Sequence, residues 1–307
     1  MGIEFLVGHT GFVGSNLAAE HRFSGLFNSK NIAEAFGKHP DLLVYAGVPA
    51  EMFLANQNPE EDRKRILEAE ENIRRIAPAR VVLISTIAVY PDTHGADEHT
   101  HIDDQRLTPY GAHRHELETW VERNYDRHLI VRLPALYGRN LKKNFLYDYI
   151  HLIPAKLNRV KMDELSARDP QLLRYYQLQG NGFYQCRSLT AAEEAELKAR
   201  FKALGFSALH FTDSRSRYQF YPLRRLWEHI DLALANDLQR LNIVTAPLQV
   251  GELYQELCGG IFHNELDQEP FDYDLRSKYA HLLGGRDGYL LDRDEILEDI
   301  TLYIASA

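Results

Sequence analysis

The chain has 307 residues, of which 45% are hydrophobic, enough for one large or two modest folded domains rather than a disordered chain. Lys and Arg total 35 against 44 Asp and Glu, and the resulting charge of −9 argues against a nucleic-acid-binding protein, which carries a basic face. The sequence has neither the apolar run of about 20 residues that spans a bilayer nor a basic leader, so we expect a cytoplasmic protein without membrane contact.

Predicted strands and helices alternate through the N-terminal half. Short apolar runs predict strands at 3–7, 26–28, 41–47, 80–85 and 128–133, and helical patterns separate them at 12–21, 32–36, 60–76 and 109–125. Pro59 and Pro109 mark the starts of the two long helices. Strands made of continuous Val, Ile and Leu are buried on both faces, which predicts an α/β fold with a doubly wound parallel sheet of Rossmann type.

The C-terminal half is predicted to be mostly helical. Helical patterns cover 163–179, 190–204, 226–232, the surroundings of Leu253, and 296–303, with one short strand at 241–244. Four aromatic residues in this half are compatible with a nucleotide pocket, although burial in a local core is favoured: Tyr175, Tyr176, Phe183 and Tyr184.

The turn after the first strand carries three glycines with the spacing of a dinucleotide-binding turn. Gly8 allows a tight turn, Gly11 lets the backbone approach a pyrophosphate, and Gly14 lets the helix pack on the strand. The N-terminus of the following helix offers N–H groups to phosphates. An ordinary strand-to-helix turn is the alternative. The position between a strand and a helix favours a cofactor site that includes Gly8, Thr10, Gly11, Phe12, Val13 and Gly14.

The residues after the second strand indicate which dinucleotide is bound. An NAD site of this type has an acidic residue about 20 positions after the turn, on the adenosine ribose. This chain has Asn28, Ser29 and Lys30 there, which suit a 2′-phosphate. The sequence therefore predicts NADP, with NAD as the less favoured cofactor; in the alternative interpretation Lys30 is a solvated surface charge.

A second set of residues predicts acid–base chemistry. Thr86 ends a strand, and Tyr110 and Arg114 share one face at the start of a helix. A fixed positive charge there is expected to lower the pKa of the tyrosine from about 10, while the Thr86 hydroxyl shares the transferred proton. The arrangement suits proton transfer at a carbonyl beside a nicotinamide, although a Tyr–Arg pair at this spacing is also common on surfaces.

These motifs together resemble the extended short-chain dehydrogenase/reductase family, which includes nucleotide-sugar epimerases, dehydratases and 4-keto reductases. Residues 8–14 are similar to its GxTGFxG turn and residues 83–90 to its ISS…VYG strand. Residues 110–114 lie where its YxxxK motif lies, and residues 132–138 are similar to its R…P…YG segment.

The resemblance implies a role for each matching residue. Thr86 is the implied hydroxyl donor, Tyr110 the acid–base residue, and Arg114 the substitute for a lysine that holds the nicotinamide ribose. That substitution is a departure from the family, because a planar guanidinium differs in shape from an ammonium group. The implied cofactor site also includes Ala46, Gly47, Val48, Leu133 and Leu136.

The resemblance also implies how the chain is organised. We expect a dinucleotide-binding Rossmann domain over residues 1–140 and a smaller, mostly helical substrate lobe over 141–307. Elements at about 214–250 are expected to return to the Rossmann domain. By the same resemblance, the helices at 60–76 and 109–125 pair with their copies in a homodimer, although the first of them is very polar.

The family's variants narrow the reaction. Dehydratases carry an Asp-Glu pair after the catalytic Thr, where this chain has Ile87 and Ala88, which cannot transfer protons. We therefore expect an NAD(P)-dependent oxidoreductase that reduces a keto group of a nucleotide-activated sugar. Two alternatives remain open, a nucleotide-sugar epimerase with retained NAD and a catalytically weak NADP-binding regulator.

Candidate substrate ligands and metal ligands are fewer. Arg139 and Arg217 suit a substrate diphosphate, because guanidinium groups pair with phosphate through two hydrogen bonds, although both are equally compatible with solvated surface charges. The two cysteines lie far apart and the histidines lack ligand spacing, so we expect no metal site.

Overall fold

The N-terminal half of the computed structural model, which describes residues 2–306, alternates strands with helices. The strands are β1 (Glu4–Val7), β2 (Gly25–Phe27), β3 (Leu42–Tyr45), β4 (Val81–Thr86) and β5 (His128–Leu133). The helices are α1 (Phe12–Glu20), α2 (Met52–Gln57), α3 (Pro59–Ile76) and α4 (Pro109–Asn124). Pro occupies the first position of α3 and α4, as predicted, because its missing N–H group would lack a helical partner there anyway.

The C-terminal half mixes short strands and helices. Its strands are β6 (Ala135–Tyr137), β7 (Lys156–Asn158), β8 (Tyr176–Leu178), β9 (Phe183–Cys186), β10 (Arg217–Tyr218), β11 (Phe220–Pro222), β12 (Arg240–Asn242) and β13 (Leu248–Gln249). Its helices are α5 (Phe145–His151), α6 (Arg159–Arg168), α7 (Ala191–Leu204), α8 (Leu226–Ala235), α9 (Val250–Cys258) and α10 (Arg293–Ala305).

Six strands form one sheet in the order β12-β5-β4-β3-β1-β2, and every neighbouring pair is parallel. The predicted doubly wound parallel sheet is thereby confirmed. The chain leaves β1 toward β2 on one side and then returns to β3 on the other side of β1, so the winding direction changes there. Ligands of such sheets bind beyond the carboxyl ends of the strands at this change.

Successive residues of the strands pack into two cores, one on each face of the sheet. Leu6 and Val44 face a core that includes residues of α1 and α8, whereas Val7 and Leu43 face a core with residues of α3 and α4. Period-two alternation between two apolar faces explains why the strands read as continuous apolar runs.

The chain divides into two compact units. The first comprises the described residues up to Leu141 together with Arg217–Leu248 and Asp272–Thr301, and includes the six-stranded sheet. The second comprises Lys142–Ser216, Gln249–Phe271 and the described residues from Leu302 onward. Within residues 2–306, no helix combines the length and the apolar character that crossing a membrane requires.

The second unit contains a small antiparallel sheet in the order β7-β9-β8, which the sequence did not predict. The expected helix over 163–179 is wrong beyond Arg168. Pro170 disfavours helical backbone at Asp169, whose side chain instead accepts from the N–H of Gln171 at 3.1 Å. The chain then forms β8, and Tyr175 and Tyr176 are buried in the unit's core, as favoured for these aromatic residues.

A buried histidine in the first unit makes stability depend on pH. His229 in α8 and Tyr221 in β11 are fully buried, with the tyrosine oxygen 2.6 Å from His229 Nδ1. His229 Nε2 has no hydrogen-bond partner among the described residues. Burial and the nearby charge of Arg225 lower the pKa of His229 to about 4. Protonation of this ring is therefore easier in the unfolded chain, where its pKa is about 6.5.

We expect the free energy of unfolding to fall as the pH drops from about 6.5 to about 4, because His229 binds a proton in the unfolded state and not in the folded state over this range. The His229 contribution to this fall is about 2–3 kcal/mol. Urea denaturation at pH 7 and pH 4.5 measures it. His229→Gln should lose that part of the pH dependence, while His101→Gln at an exposed position should keep it. Equal pH dependence in wild type and His229→Gln would contradict the assignment.

Candidate functional site

The glycine-rich turn joins β1 to α1 at the change in winding direction. Gly8 has φ +92°, and a Cβ atom there would lie 2.3 Å from the Ala46 carbonyl oxygen, so only glycine fits. Gly11 differs, because its backbone is extended and a Cβ atom would meet only the Gly8 carbonyl oxygen, at 3.2 Å. The backbone of Gly11 therefore borders open space at the N-terminus of α1, as a phosphate cradle requires.

His9 in this turn carries an orphaned polar atom. Its Nδ1 is buried and has no hydrogen-bond partner among the described residues. A buried polar group without a partner is costly in a folded protein. The turn thus combines an open backbone cradle with an unsatisfied polar atom, and both features fit a polar ligand such as a dinucleotide.

Two further predicted cofactor segments flank the turn. The Gly8 N–H donates to the Phe27 carbonyl at 2.7 Å, which places residues 28–30 beside the turn. The Ala46 N–H donates to the Val7 carbonyl at 2.9 Å, which places residues 46–48 beside it as well. Ser29 and Lys30 are exposed. Leu133, at the end of β5, pairs in register with Thr86 and belongs to an apolar cluster against which Leu136 of β6 and Phe12 and Val13 of the turn also pack.

The two hydroxyl groups expected to transfer a proton are brought together. Thr86 ends β4, and its side chain lies close enough to that of Tyr110, in the first turn of α4, to lower the pKa of the tyrosine. Gly111 allows this approach, because a Cβ atom there would lie 2.4 Å from the Ala88 carbonyl oxygen. The Tyr110 N–H donates to the Asn56 side chain of α2 at 3.0 Å. Tyr110 is buried, and its neighbours hold it in one position.

Arg114 lies one turn after Tyr110 and is buried, which excludes the surface-pair alternative. Its guanidinium carbon is 4.0 Å from the centre of the Tyr110 ring, a cation–π distance. Nη2 donates to the Pro49 carbonyl at 2.6 Å, and Nη1 donates to Asp62 of α3. His113 Nδ1 lies 2.8 Å from the same Asp62 oxygen.

The net pKa shift of Tyr110 is opposite to the expected one. Burial raises the pKa above its usual value of 10.0, whereas the Arg114 charge and the nearby Thr86 side chain lower it and the Asp62 charge raises it. Arg114 does act in the expected direction, but desolvation of the tyrosinate is larger. The prediction of a lowered pKa is wrong because the sequence does not show how deeply the hydroxyl is buried.

Asp62 is a site residue that the sequence does not single out, because the start of α3 is very polar throughout. The structure buries Asp62, which is 8% exposed, on the same side of α3 as Ile66, Ala69 and Ile73. The signal was present in the spacing, since positions 62, 66, 69 and 73 follow the helical period of one buried stripe. A carboxylate on such a stripe requires a partner.

A second missed group ties Tyr110's helix to the strand that carries Thr86. Glu118 in α4 is 1% exposed and accepts from the Ser85 hydroxyl at 2.5 Å and from Arg132 Nη2 at 2.6 Å. Arg132 in β5 also donates to the Tyr90 hydroxyl at 2.6 Å. Because every member has a partner, this buried network fixes α4 on β4 and β5.

The two candidate substrate arginines differ in their surroundings. Arg139 is exposed, and its main chain is held by Asn16, which accepts from the Arg139 N–H at 3.1 Å. Arg217 donates to Asp272 at 2.5 Å, so its charge is already compensated. Within residues 2–306, no group of three or more His, Cys, Asp or Glu side chains is placed to hold a metal ion.

The parallel sheet with its glycine-rich turn defines the class of protein as one with a Rossmann-type fold. The family model described as RmlD substrate binding domain matches residues 5–171, more than half of the chain. The chain belongs to the RmlD substrate binding domain family. A comparison with curated protein sequences finds no significant match.

Solved structures share the fold over almost the whole chain. A dTDP-4-dehydrorhamnose reductase from Bacillus anthracis, in complex with NADP, is 13% identical with a TM-score of 0.64, and the match covers 99% of this chain and 98% of that one. The corresponding enzyme from Clostridium acetobutylicum is 12% identical with a TM-score of 0.63 and the same coverage. A UDP-glucose 4-epimerase from Thermotoga maritima, with UDP-glucose, is 13% identical with a TM-score of 0.62, covering 98% and 97%.

The Glu118 network gives a stability prediction. Glu118→Gln leaves the Arg132 charge buried without its anion, so we expect a loss of about 3–5 kcal/mol in the free energy of unfolding, measured by urea denaturation. Glu116→Gln is the matched control, because it removes a carboxylate of the same helix that pairs with Arg63 on the surface. The control should lose no more than about 1 kcal/mol. Equal losses in the two variants would show that Glu118 does not anchor α4.

Proposed function

We propose that the protein is an NADPH-dependent reductase that acts on a keto group of a nucleotide-activated sugar. The observation that carries the proposal is the buried contact of Tyr110 with both Thr86 and Arg114 at the end of β4. Membership of the RmlD substrate binding domain family supports it, as does structural similarity to dTDP-4-dehydrorhamnose reductases, one of them in complex with NADP.

The residues around the turn fit a dinucleotide. The Gly11 backbone and the N-terminus of α1 would hold the pyrophosphate, and the segments 28–30 and 46–48 would flank the adenosine ribose and the ring system. Lys30 is exposed and makes no ion pair with the described residues, so its ammonium group is available to a 2′-phosphate. The segment 28–30 contains no carboxylate that would repel one.

Each reacting group then has one task. A bound nicotinamide cofactor would supply the hydride for the keto carbon, and the residues of this chain would supply the proton for the oxygen. The carbonyl π bond opens as the Tyr110 hydroxyl gives its proton to the oxygen, and the resulting tyrosinate recovers a proton from solvent. Thr86 and Arg114 both lie close enough to the Tyr110 hydroxyl to stabilise the transient tyrosinate.

The alternatives differ in what they require of Tyr110. A reductase needs a protonated Tyr110, the form that burial favours, whereas an epimerase needs it first as a base and then as an acid. A regulator without catalysis would not need Tyr110, Thr86 and Arg114 in one buried contact. Gel filtration separates the cases, because an epimerase retains its nucleotide whereas a reductase binds added NADPH reversibly.

We assign the substrate lobe to the C-terminal part, residues 141–307, with the segment at about 214–250 returning to the Rossmann domain. Of the two candidate diphosphate ligands, Arg139 is favoured, because Arg217 would first have to release Asp272.

The homodimer and the cytoplasmic location stay predictions. The exposed surface of α3 includes Leu67, 49% exposed, between charged residues.

The catalytic assignment is tested with Tyr110→Phe. The variant keeps the ring that stacks on Arg114 but removes the proton donor, so reduction of a nucleoside diphosphate 4-keto sugar should slow by about 10²–10⁴-fold. Loss of NADPH absorbance measures turnover, and NADPH binding should be unchanged. Tyr125→Phe, at the other end of α4, is the control and should retain activity. Wild-type turnover in Tyr110→Phe would leave the regulator as the better account.

Cofactor preference is tested by calorimetric titration. We expect NADPH to bind more tightly than NADH, because the Lys30 ammonium group pairs with the 2′-phosphate. Lys30→Glu should erase or reverse the preference, while the exposed Lys38→Glu, with the same charge change, should not. Tighter binding of NADH by the wild type would refute the preference, and an unchanged preference in Lys30→Glu would remove Lys30 from the site.

A further inference from the structure

We propose that Asp62 is a positioning residue that holds the Arg114 guanidinium against Tyr110 and partly offsets its charge, so that Tyr110 works as the proton donor of a reductase. The inference rests on the proposed function for its meaning but on the described contacts for its evidence. It explains how an arginine occupies the position of the family's lysine.

Three contacts restrain the Arg114 guanidinium. Asp62 binds one terminal nitrogen, the Pro49 carbonyl binds the other at 2.6 Å, and the Tyr110 ring covers the guanidinium at 4.0 Å. An arginine side chain is longer than a lysine side chain and carries a planar fork. Held at both terminal nitrogens, the guanidinium keeps its position over the ring.

A buried ion pair, formed by Asp62 and Arg114, lies beside Tyr110. Asp62 and Arg114 are 8% and 5% exposed, so solvent screens their interaction poorly. Around Tyr110, α4 contributes the Arg114 cation and α3 contributes the Asp62 anion, while the contacts from α2 and β4 are the uncharged Asn56 and Thr86. His113 of α4 faces Asp62 from the other side. Tyr110 therefore faces an ion pair instead of a bare cation.

The charge beside Tyr110 bears on the direction of the reaction, because it affects whether the hydroxyl is protonated or ionised. Reduction needs the Tyr110 O–H bond intact when the keto oxygen takes up its proton, whereas oxidation of a carbinol needs a tyrosinate to accept one. A bare cation beside the ring would favour the tyrosinate. With Asp62 as its counter-ion, Arg114 orients the ring and leaves the hydroxyl protonated, which favours reduction.

The titration of Tyr110 tests the inference without substrate or cofactor. Tyrosine labelled with ¹³C at the ring carbon bearing the hydroxyl reports each phenol by NMR, and Tyr110→Phe assigns the signal. In Asp62→Asn the titration midpoint of Tyr110 should fall by about one to three pH units, the usual effect of an uncompensated neighbouring cation. Asp62→Glu, which keeps the carboxylate, should restore the wild-type midpoint.

Glu116→Gln is the matched control, because it removes another carboxylate between α3 and α4 but one that pairs with Arg63 on the surface. Its Tyr110 midpoint should equal that of the wild type. An unchanged midpoint in Asp62→Asn, or an equal fall in Glu116→Gln, would overturn the inference. Neither outcome depends on turnover, so failure of the proposed reductase activity in the Tyr110→Phe test remains distinguishable.

A double variant covers the case in which Asp62→Asn does not fold with Arg114 uncompensated. Asp62→Asn with Arg114→Gln removes both charges, and its Tyr110 midpoint should lie within about one pH unit of the wild type if the pair is neutral toward the ring. A midpoint raised by more than that would show that Arg114 acts as a bare cation in the wild type, which would refute the proposal.

Discussion

The buried carboxylate of Glu118 is the contact on which the geometry of the site depends. It lies two turns after Tyr110 in α4 and binds both Ser85, the neighbour of Thr86, and Arg132 of β5. Separating these groups would leave a charge in the protein interior without a partner, at a cost of several kcal/mol. The helix therefore has one stable position on the sheet, and in that position the hydroxyls of Tyr110 and Thr86 meet.

The parallel sheet likewise brings the predicted cofactor residues together. The segments after β1, β2 and β3 are far apart in sequence, yet hydrogen bonds from Gly8 to Phe27 and from Ala46 to Val7 gather them at one edge. Because β2 and β3 lie on opposite sides of β1, the segments that follow them flank the glycine-rich turn, the place where ligands of doubly wound sheets bind. The proposed dinucleotide site needs no long loop, since strand order alone creates it.

Arginine at the position of the family's lysine changes the electrostatics of the site as well as its shape. A guanidinium remains charged when it is buried, and a buried charge requires a counter-ion. Asp62 supplies that counter-ion and thereby weakens the influence of Arg114 on Tyr110. The buried tyrosine keeps a raised pKa, so its hydroxyl carries its proton at neutral pH.

The sequence by itself determined the strands of the parallel sheet, the helices α1, α3 and α4, the glycine-rich turn and the spacing of Tyr110 and Arg114, because each depends on residues within a few positions of one another. It did not predict α2, which contributes Asn56 to the site. It did not predict the small sheet β7-β9-β8, whose strands have three or four residues and too little periodicity to recognise. Only the tertiary structure paired Asp62 with Arg114, 52 positions apart, and buried Tyr110 deeply enough to reverse the expected pKa shift. Burial and charge pairing arise between segments remote in sequence, so local patterns cannot decide them.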